Sequence, residues 1–225
     1  MLRELASNLW VAERPFRFFG VDVGTRMTVI RLRDGGLFLH SPVSLDQELR
    51  SGLEALGSPK FAVAPNRFHH LFAGEYGAAY PGLKLFAAPG LAAKRPDLKI
   101  DAVLGDDAPP GWSSEIQQVL FGGYPLFNEV IFFHPSSRTL VTADLVFNFG
   151  SQDPPLTRLM MRLLGAYNRF GPTVIERLVV RDRAAARASL MRILEWDFER
   201  VIMCHGRTLE SGGRQALRNG YAWLV

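Results

Sequence analysis

The spacing of hydrophobic and polar residues changes along the chain and predicts a β-hairpin followed by a helix near the N-terminus. Residues 27–33 are β-branched and partly alternating, the segment 34–36 (Asp-Gly-Gly) has the composition of a tight turn, and residues 37–39 form a short apolar run. A helix over 44–56, with Ser44 as its N-cap, is predicted because leucines recur at helical spacing, namely Leu45, Leu49, Leu53 and Leu56.

The rest of the chain alternates between strand-like and helix-like segments. Further strands are predicted at 60–64, 83–87, 115–121, 129–133, 139–147 and 200–203. Pro155 fits the first turn of a helix over 155–170, and Asp182 is suited to cap a second helix over 183–196. Strands that alternate with helices predict an α/β fold, and the β-rich opening and central block indicate more than one sheet.

Composition restricts the class of protein. The chain has 225 residues, of which 48% are hydrophobic and 21% charged, so it can bury a substantial core and disorder is excluded. No uninterrupted apolar run approaches the roughly 18 residues that a membrane span requires, and the first ten residues lack the pattern of a signal peptide. Cys204 is the single cysteine, which excludes an internal disulfide and favours the cytoplasm. Without internal repeats or linkers, we expect one domain over 1–225.

Positive charge is concentrated in the second half of the chain. The net charge is +4, and residues 158–192 contain eight arginines against two acidic residues. The pattern favours a solvated face of two helices over a surface that attracts anionic substrates, nucleic acid or a membrane. Basic residues interleaved with aromatics are absent, so we expect no nucleic-acid partner. Apolar residues at three- and four-residue steps indicate a core face or a helical lid, namely Leu156, Leu159, Leu163 and Tyr167.

Candidate metal ligands lie at the ends of predicted strands. Histidines follow three of these strands, and a carboxylate closes a fourth; the residues are His40, His69, His70, Asp144 and His205. In α/β sheets, ligands gather at the carboxyl ends of strands, where the loops converge. Histidine and carboxylate are ligands that zinc or iron uses. His134 lies instead in a turn between two strands, and we expect it at the surface.

The order of these motifs resembles that of the metallo-β-lactamase-fold superfamily, most of all an uncharacterised branch known as a domain of unknown function. The segment 64–70 (Ala-Pro-Asn-Arg-Phe-His-His) stands where that superfamily has its His-x-His-x-Asp-His loop. The segments 36–41, 139–145 and 201–206 resemble its Asp-Thr-Gly-like turn, its strand ending in Gly-Asp and its final His-Gly. The resemblance covers nearly the whole chain and implies a four-layer αββα sandwich.

The resemblance also implies a reduced metal site. Pro65 and Arg67 stand in place of the first two loop histidines, and residues 122–125 lack the histidine expected there, so the first metal site of the superfamily is missing. For the second metal site of the superfamily, the resemblance implies one zinc or iron ion bound by four residues, namely His69, His70, Asp144 and His205. Two neighbours, His40 and Glu129, could orient the ligands, although Glu129 could equally pair with Arg138. Arg67 would either repel a metal or hold an anionic substrate.

Three functions are compatible with these residues. The first is a metal-dependent hydrolase with a mononuclear site, acting on a small ester, thioester or phosphoester. Three ligands would leave a coordination position open for water, whereas four would make the site structural; no residue is assigned as the catalytic acid or base. The alternative is a non-catalytic protein of the same fold that binds a small ligand or a protein partner without metal. The third is a peripheral module that binds a membrane or nucleic acid through residues 158–192. Oligomeric state and substrate are left open.

Overall fold

Strands with inward and outward side chains in alternation build two facing sheets. The computed structural model describes residues 1–225. The larger sheet has the order β1-β2-β5-β6-β7-β8-β9, with strands β1 (Leu2–Ala6), β2 (Leu9–Arg14), β5 (Thr25–Arg31), β6 (Gly36–His40), β7 (Ser58–Ala64), β8 (Lys84–Ala87) and β9 (Ala102–Val103). The smaller sheet comprises β10 (Gln117–Leu120), β11 (Val130–His134), β12 (Thr139–Val141) and β13 (Arg200–Ile202). A separate hairpin is formed by β3 (Arg17–Phe18) and β4 (Val21–Asp22).

The helices are α1 (Gln47–Leu56), α2 (Ala73–Ala79), α3 (Leu91–Lys94), α4 (Pro155–Leu163), α5 (Val174–Val179), α6 (Arg183–Glu195) and α7 (Gly213–Gly220). Of these, α1 and α2 pack on the outer face of the larger sheet, and α6 and α7 pack on the outer face of the smaller sheet. The larger sheet is antiparallel from β1 to β6 and parallel from β6 to β9. In the smaller sheet, β12 and β13 pair in parallel although 58 residues separate them.

Strand periodicity divides the apolar residues among three cores. In β6, Phe38 points between the two sheets, whereas Leu37 and Leu39 pack under α1 and α2. In β11, Phe132 points between the sheets and Phe133 packs towards α6 and α7. The molecule is therefore layered helix, sheet, sheet, helix, which confirms the predicted αββα sandwich.

Two predicted helices have different bounds in the structure. The helix expected over 155–170 ends at Leu163, and Gly165, at φ +69°, turns the chain before α5 begins at Val174. Glycine adopts that left-handed conformation at little cost. The helix therefore ends near Gly165, although the spacing of the leucines predicted that it continues to residue 170. Near the N-terminus, Asp46 rather than Ser44 caps α1, because its carboxylate accepts the amide of Leu49.

The leucine face of α4 is not a core face. Thr157 and Met161 are the buried residues of this helix, whereas Leu156, Leu159 and Leu163 are 54%, 52% and 75% exposed. The prediction of a core face was therefore wrong. The apolar stripe lies on the exposed side of the helix, away from Thr157 and Met161.

His134 is also placed differently from its prediction. It ends β11 and is buried, and its ring nitrogens are bonded by the hydroxyls of Ser137 and Ser136, at 2.7 and 2.8 Å. The expectation of a surface histidine fails because two serines of the turn satisfy both nitrogens and make burial tolerable.

None of the helices is long and apolar enough to cross a bilayer.

Candidate metal centre

Three side chains from distant parts of the chain converge at one end of the sheets. His69 lies in the loop after β7, Asp144 follows β12, and His205 follows β13. Their ligand atoms all lie within 4.8 Å of one another. Because β12 and β13 are parallel neighbours, their carboxyl ends emerge side by side and bring Asp144 and His205 together.

The two histidine rings are oriented by groups outside the cluster. His69 Nδ1 is 2.8 Å from the hydroxyl oxygen of Ser41, and His205 Nδ1 donates to the carbonyl oxygen of Gly24 at 2.6 Å. The Nε2 atoms are thereby directed at one carboxylate oxygen, Asp144 Oδ1, at distances of 3.3 Å from His69 and 3.6 Å from His205. Metal-binding histidines are typically oriented in this way, by a hydrogen bond from the ring nitrogen that does not bind the ion.

A buried amide and a second carboxylate position Asp144. The amide nitrogen of Asn66 donates to Asp144 Oδ2 at 2.8 Å and to Glu129 Oε2 at 3.1 Å. The amide oxygen of Asn66 accepts the backbone N–H of His69 at 2.9 Å. Glu129 in turn accepts the backbone N–H groups of Ala143 and Asp144, each at 2.8 Å. One buried network therefore sets both the His69 loop and the Asp144 turn.

A buried arginine fixes the loop that carries His205. Arg26, on β5, donates to the carbonyl oxygens of Met203 and Gly206, the latter at 2.7 Å. Its charge is balanced by Glu13, whose carboxylate lies 2.7 Å from Nη2 and has a pKa that is lowered, against the effect of burial, by Arg26 and Arg3. His205 is thus held from both sides, by its ring and by its backbone.

The electrostatics of the cluster favour a charged pair of Asp144 and His69, and a bound ion would take the place of the His69 proton. Burial would raise the pKa of Asp144, but the charge and hydrogen bond of His69 hold it below its usual range. Burial would conversely lower the pKa of His69, yet Asp144 keeps it well above the usual value. Burial and the His69 charge lower the pKa of His205 to about 4, so its ring is neutral and its Nε2 lone pair faces Asp144.

Two of the three donor pairs have the spacing found around one first-row metal ion, and all three donor atoms lie within 4.8 Å of one another. In tetrahedral coordination with bonds of about 2.1 Å, neighbouring ligand atoms lie about 3.4 Å apart. The separations of 3.3 and 3.6 Å from Asp144 Oδ1 to the two Nε2 atoms are close to that value. Two imidazoles and a carboxylate are also a donor set that zinc and iron accept. His69, Asp144 and His205 would hold the ion and leave a coordination position free.

Two residues predicted close to the ion lie away from the cluster. His70 is turned towards Arg95, whose guanidinium lies 2.8 Å from His70 Nδ1, and burial with Lys94 and Arg95 lowers its pKa to about 4. Arg67 reaches the carbonyl oxygen of Pro125 at 3.4 Å. The structure therefore brings together three of the four predicted ligands.

The two remaining predicted residues are buried beside the cluster. His40 packs edge-on against Phe132, and neither ring nitrogen has a hydrogen-bond partner. Burial and the charge of His69 lower its pKa to about 3, so the ring is neutral. Glu129 accepts a hydrogen bond from the side-chain amide of Asn66 and does not pair with Arg138. Arg138 forms salt bridges with Asp197 and Glu199 instead. Burial and the Asp144 charge raise the pKa of Glu129 to about 7.

The sequence interpretation missed Asn66, Ser41, Gly24 and Arg26. Asn66 carries a local signal, since asparagine two residues after a strand end accepts its own downstream amides in an Asx turn. Ser41 directly follows β6 and has a positive φ of 55°. Arg26 and Gly24 carry no local signal, because their partners near His205 lie about 180 positions further along the chain.

Apolar side chains surround the cluster. Phe16 and Phe147 stack near the His205 ring, each with a centroid distance of 6.4 Å. A narrow cavity adjoins Asp144 and Glu129 and is lined by residues that include Phe121, Tyr124 and Phe127. These walls limit the access of water and strengthen electrostatic interactions at the donors.

Comparison with known proteins identifies a family and a fold. Residues 6–170 match the family described as a domain of unknown function, DUF4336. Among proteins of curated function, none matches the chain in sequence.

Solved structures share the architecture at low sequence identity. A metallo-β-lactamase from Pontibacter korlensis is 14% identical, with a TM-score of 0.62 over 97% of this chain and 99% of its own. The metallo-β-lactamase FIM-1 from Pseudomonas aeruginosa, solved in a mono-zinc form, is 10% identical, with a TM-score of 0.65 over 100% of this chain and 96% of its own. The metal-soaked flavodiiron core of Flv1 from Synechocystis is 13% identical, with a TM-score of 0.66 over 100% of this chain and 60% of its own.

Proposed function

Because the chain belongs to the DUF4336 family and has the metallo-β-lactamase fold, we propose that it is a metal-dependent hydrolase with a single ion. The convergence of His69, Asp144 and His205, with ligand atoms within 4.8 Å of one another, is the observation that carries this proposal. The ion is zinc or iron, since both accept two imidazoles and one carboxylate.

The protein's own residues hold and orient the donors. An ion bound by them would supply Lewis-acid activation of water for attack on a carbonyl or phosphoryl group. Asn66 and Glu129 fix the carboxylate of Asp144, and Ser41 and Gly24 fix the two rings. Glu129 is not the general base in this proposal, because its oxygens already accept backbone and Asn66 amides.

The proposed substrate is a small ester, thioester or phosphoester. Its reacting group would approach the donors between the apolar side chains of Phe16 and Phe147. Related folds support a hydrolytic reaction on small molecules: one solved structure of this fold is the metallo-β-lactamase DIM-1 exposed to ceftazidime. Substrate preference is to be measured by comparing p-nitrophenyl esters, a thioester and p-nitrophenyl phosphodiesters.

Metal content is the first test of the proposed function. The purified chain, freed of metal by a chelator and then dialysed against zinc or ferrous iron, should bind one equivalent, measured by elemental analysis. Asp144→Asn and His205→Ala should lose that equivalent, because each removes one of only three protein ligands. Hydrolysis of the model substrates should be lost in the same variants and in the chelated protein.

His70→Ala and His134→Gln are the matched controls. Both replace a buried histidine outside the cluster, so both should retain the ion. Loss of metal in His70→Ala with retained folding would favour the four-ligand site predicted from the sequence. A metal content far below one equivalent in the parent protein would contradict the proposed function and favour the non-catalytic alternative.

A further inference from the structure

An apolar surface lies exposed on α4 and α5. Its six side chains are each 40% or more exposed, and they are Leu156, Leu159, Leu163, Val174, Ile175 and Leu178. The two helices adjoin, since the amide of Val174 donates to the carbonyl oxygen of Leu164 at 3.0 Å. We call these six residues the α4–α5 surface. Exposed apolar side chains that cluster in this way mark an interaction site more often than isolated ones do.

The β3–β4 hairpin packs against α4 and carries exposed aromatic residues of its own. Thr157, on the buried side of α4, donates to the carbonyl oxygen of Asp22 at 2.5 Å and fixes the helix against the hairpin. At the hairpin turn, Phe18 and Phe19 are 50% and 92% exposed. Two aromatic rings and six aliphatic side chains therefore project from neighbouring elements.

The arginines around this surface lack salt-bridge partners, although Arg162 and Arg177 lie over the rings of Tyr167 and Trp223. Residues 154–181 contain five arginines, Arg158, Arg162, Arg169, Arg177 and Arg181, and one acidic residue. The acidic residue, Glu176, is buried and accepts hydrogen bonds from Thr173, so it does not neutralise them. None of the five arginines forms a salt bridge, although nine other arginines of the chain do.

We propose that the α4–α5 surface, with its five unpaired arginines, docks the protein on an anionic lipid bilayer. Apolar side chains flanked by arginine are the composition of interfacial membrane-binding segments. A second copy of this chain is disfavoured as the occupant, because it would place unpaired arginines against one another. Nucleic acid is also disfavoured, since phosphates would satisfy the arginines but leave the leucines exposed.

The β3–β4 hairpin lies next to both sites. Phe16, which directly precedes the hairpin, stacks near the ring of His205, and Thr157 of α4 bonds the hairpin at Asp22. The docking proposal does not require the metal, because the six apolar side chains and the five arginines lie outside the donor set.

Vesicle flotation with the full chain tests the proposal. The protein should float with vesicles of phosphatidylcholine containing about one-third phosphatidylglycerol and remain unbound with phosphatidylcholine alone. Raising NaCl from about 0.05 to about 0.3 M should weaken binding at least tenfold, because the arginines act through a screened potential.

Two sets of variants separate charge from apolar contact. A triple variant should weaken vesicle binding about a hundredfold, since each arginine near an anionic surface contributes about fivefold. It carries the substitutions Arg158→Gln, Arg162→Gln and Arg169→Gln. The pair Leu163→Ser and Leu178→Ser should weaken it at least tenfold. Exposed residues elsewhere on the chain serve as controls that should leave vesicle binding unchanged. The charge control changes Arg31, Arg33 and Arg50 to Gln, and the apolar control is the pair Leu71→Ser and Val103→Ser.

Several results would overturn the proposal. Equal flotation with neutral and anionic vesicles, or no flotation, contradicts it. Unchanged vesicle binding in both sets of variants also contradicts the proposal, provided that urea unfolding shows the variants to be folded. Duplex DNA bound as tightly as vesicles, with no effect of the serine pair, would identify nucleic acid as the partner. A dimer in sedimentation that the serine pair dissociates would identify a second copy.

Discussion

The amide of Asn66 reaches the carboxylate of Asp144 at 2.8 Å, although the two residues are 78 positions apart. The same side chain caps the backbone of His69. Asn66 therefore couples two of the three donors and is a positioning residue, since it offers no atom to the ion itself.

Asn66→Ala should weaken zinc binding by about 10- to 100-fold, the usual effect of removing a group that orients a metal ligand. Competition with a zinc-binding dye measures the affinity, and the one-to-one stoichiometry should persist. Asn219→Ala is the control, because Asn219 lies on α7 and its side chain bonds only Gln215. Unchanged affinity in a folded Asn66→Ala protein would contradict the positioning role.

Arg26→Met should lower the free energy of unfolding by about 2 to 4 kcal/mol, because the carbonyl groups of Met203 and Gly206 would lose charged hydrogen-bond donors. Urea unfolding at neutral pH measures the change. Arg3 contacts the same carboxylate, Glu13, at 3.2 Å, but its side chain is exposed. Arg3→Met should therefore cost less than about 1 kcal/mol, and an equal loss in both variants would be inconsistent with this account.

Gly206→Ala should lower the stability of the protein by more than the cost of placing alanine at a positive φ, because the added Cβ atom would also collide with a neighbour. Gly206 has φ +74°, and a Cβ atom there would lie 2.7 Å from the carbonyl oxygen of Asn148. Gly20 has a similar φ of +82° but open space around it, so Gly20→Ala carries only the backbone cost of about 1 to 2 kcal/mol. Thermal unfolding should show a clearly larger loss for Gly206→Ala, accompanied by weaker metal binding. Equal losses in the two variants would mean that the Asn148 contact relaxes freely.

His134 should make stability fall on acidification. Burial lowers its pKa to about 4, below the unfolded value of about 6.5. As pH decreases through that window, the unfolded chain takes up the proton first, so the free energy of unfolding is fully retained above about pH 6.5 and falls towards pH 4. The contribution is about 1 to 3 kcal/mol. Urea unfolding of the parent protein and of His134→Gln at pH 7.5 and pH 5 isolates the contribution of His134, because the other buried histidines titrate in both proteins. An identical pH dependence of the two proteins would refute the prediction.

The alternation of strand-like and helix-like segments predicted an α/β fold with more than one sheet, whereas the four-layer sandwich was implied by the resemblance to the metallo-β-lactamase-fold superfamily. The apolar runs of β6 and β11 do not alternate with polar residues, because both faces of each strand are buried. The helix bounds were less predictable, since a single glycine, Gly165, ends the helical turns that the leucine spacing continued. The exposed stripe of α4 could not be foreseen either, because periodicity identifies an apolar face without specifying what it contacts.

The candidate site was predictable in its residue types and strand ends but not in its membership. His69 and His70 are adjacent and chemically identical, and only the path of the loop turns one ring to Asp144 and the other to Arg95. Ser41, Gly24 and Arg26 act on the site across long sequence separations, so nothing near them in the chain indicates their partners. The binding of an ion by His69, Asp144 and His205 stays a prediction for the metal analysis.

The parallel pairing of β12 with β13 determines when the site can exist during synthesis. A ribosome that has released Val141 must still make almost 60 residues before Arg200 emerges. Until then β12 has an open edge, and Asp144 lacks its His205 partner. The segment matched by the family, residues 6–170, likewise ends before that strand. Completion of the centre is therefore among the last events of folding on the nascent chain. A truncation before residue 200 removes the ligand His205 together with the edge strand β13 that shields the sheet.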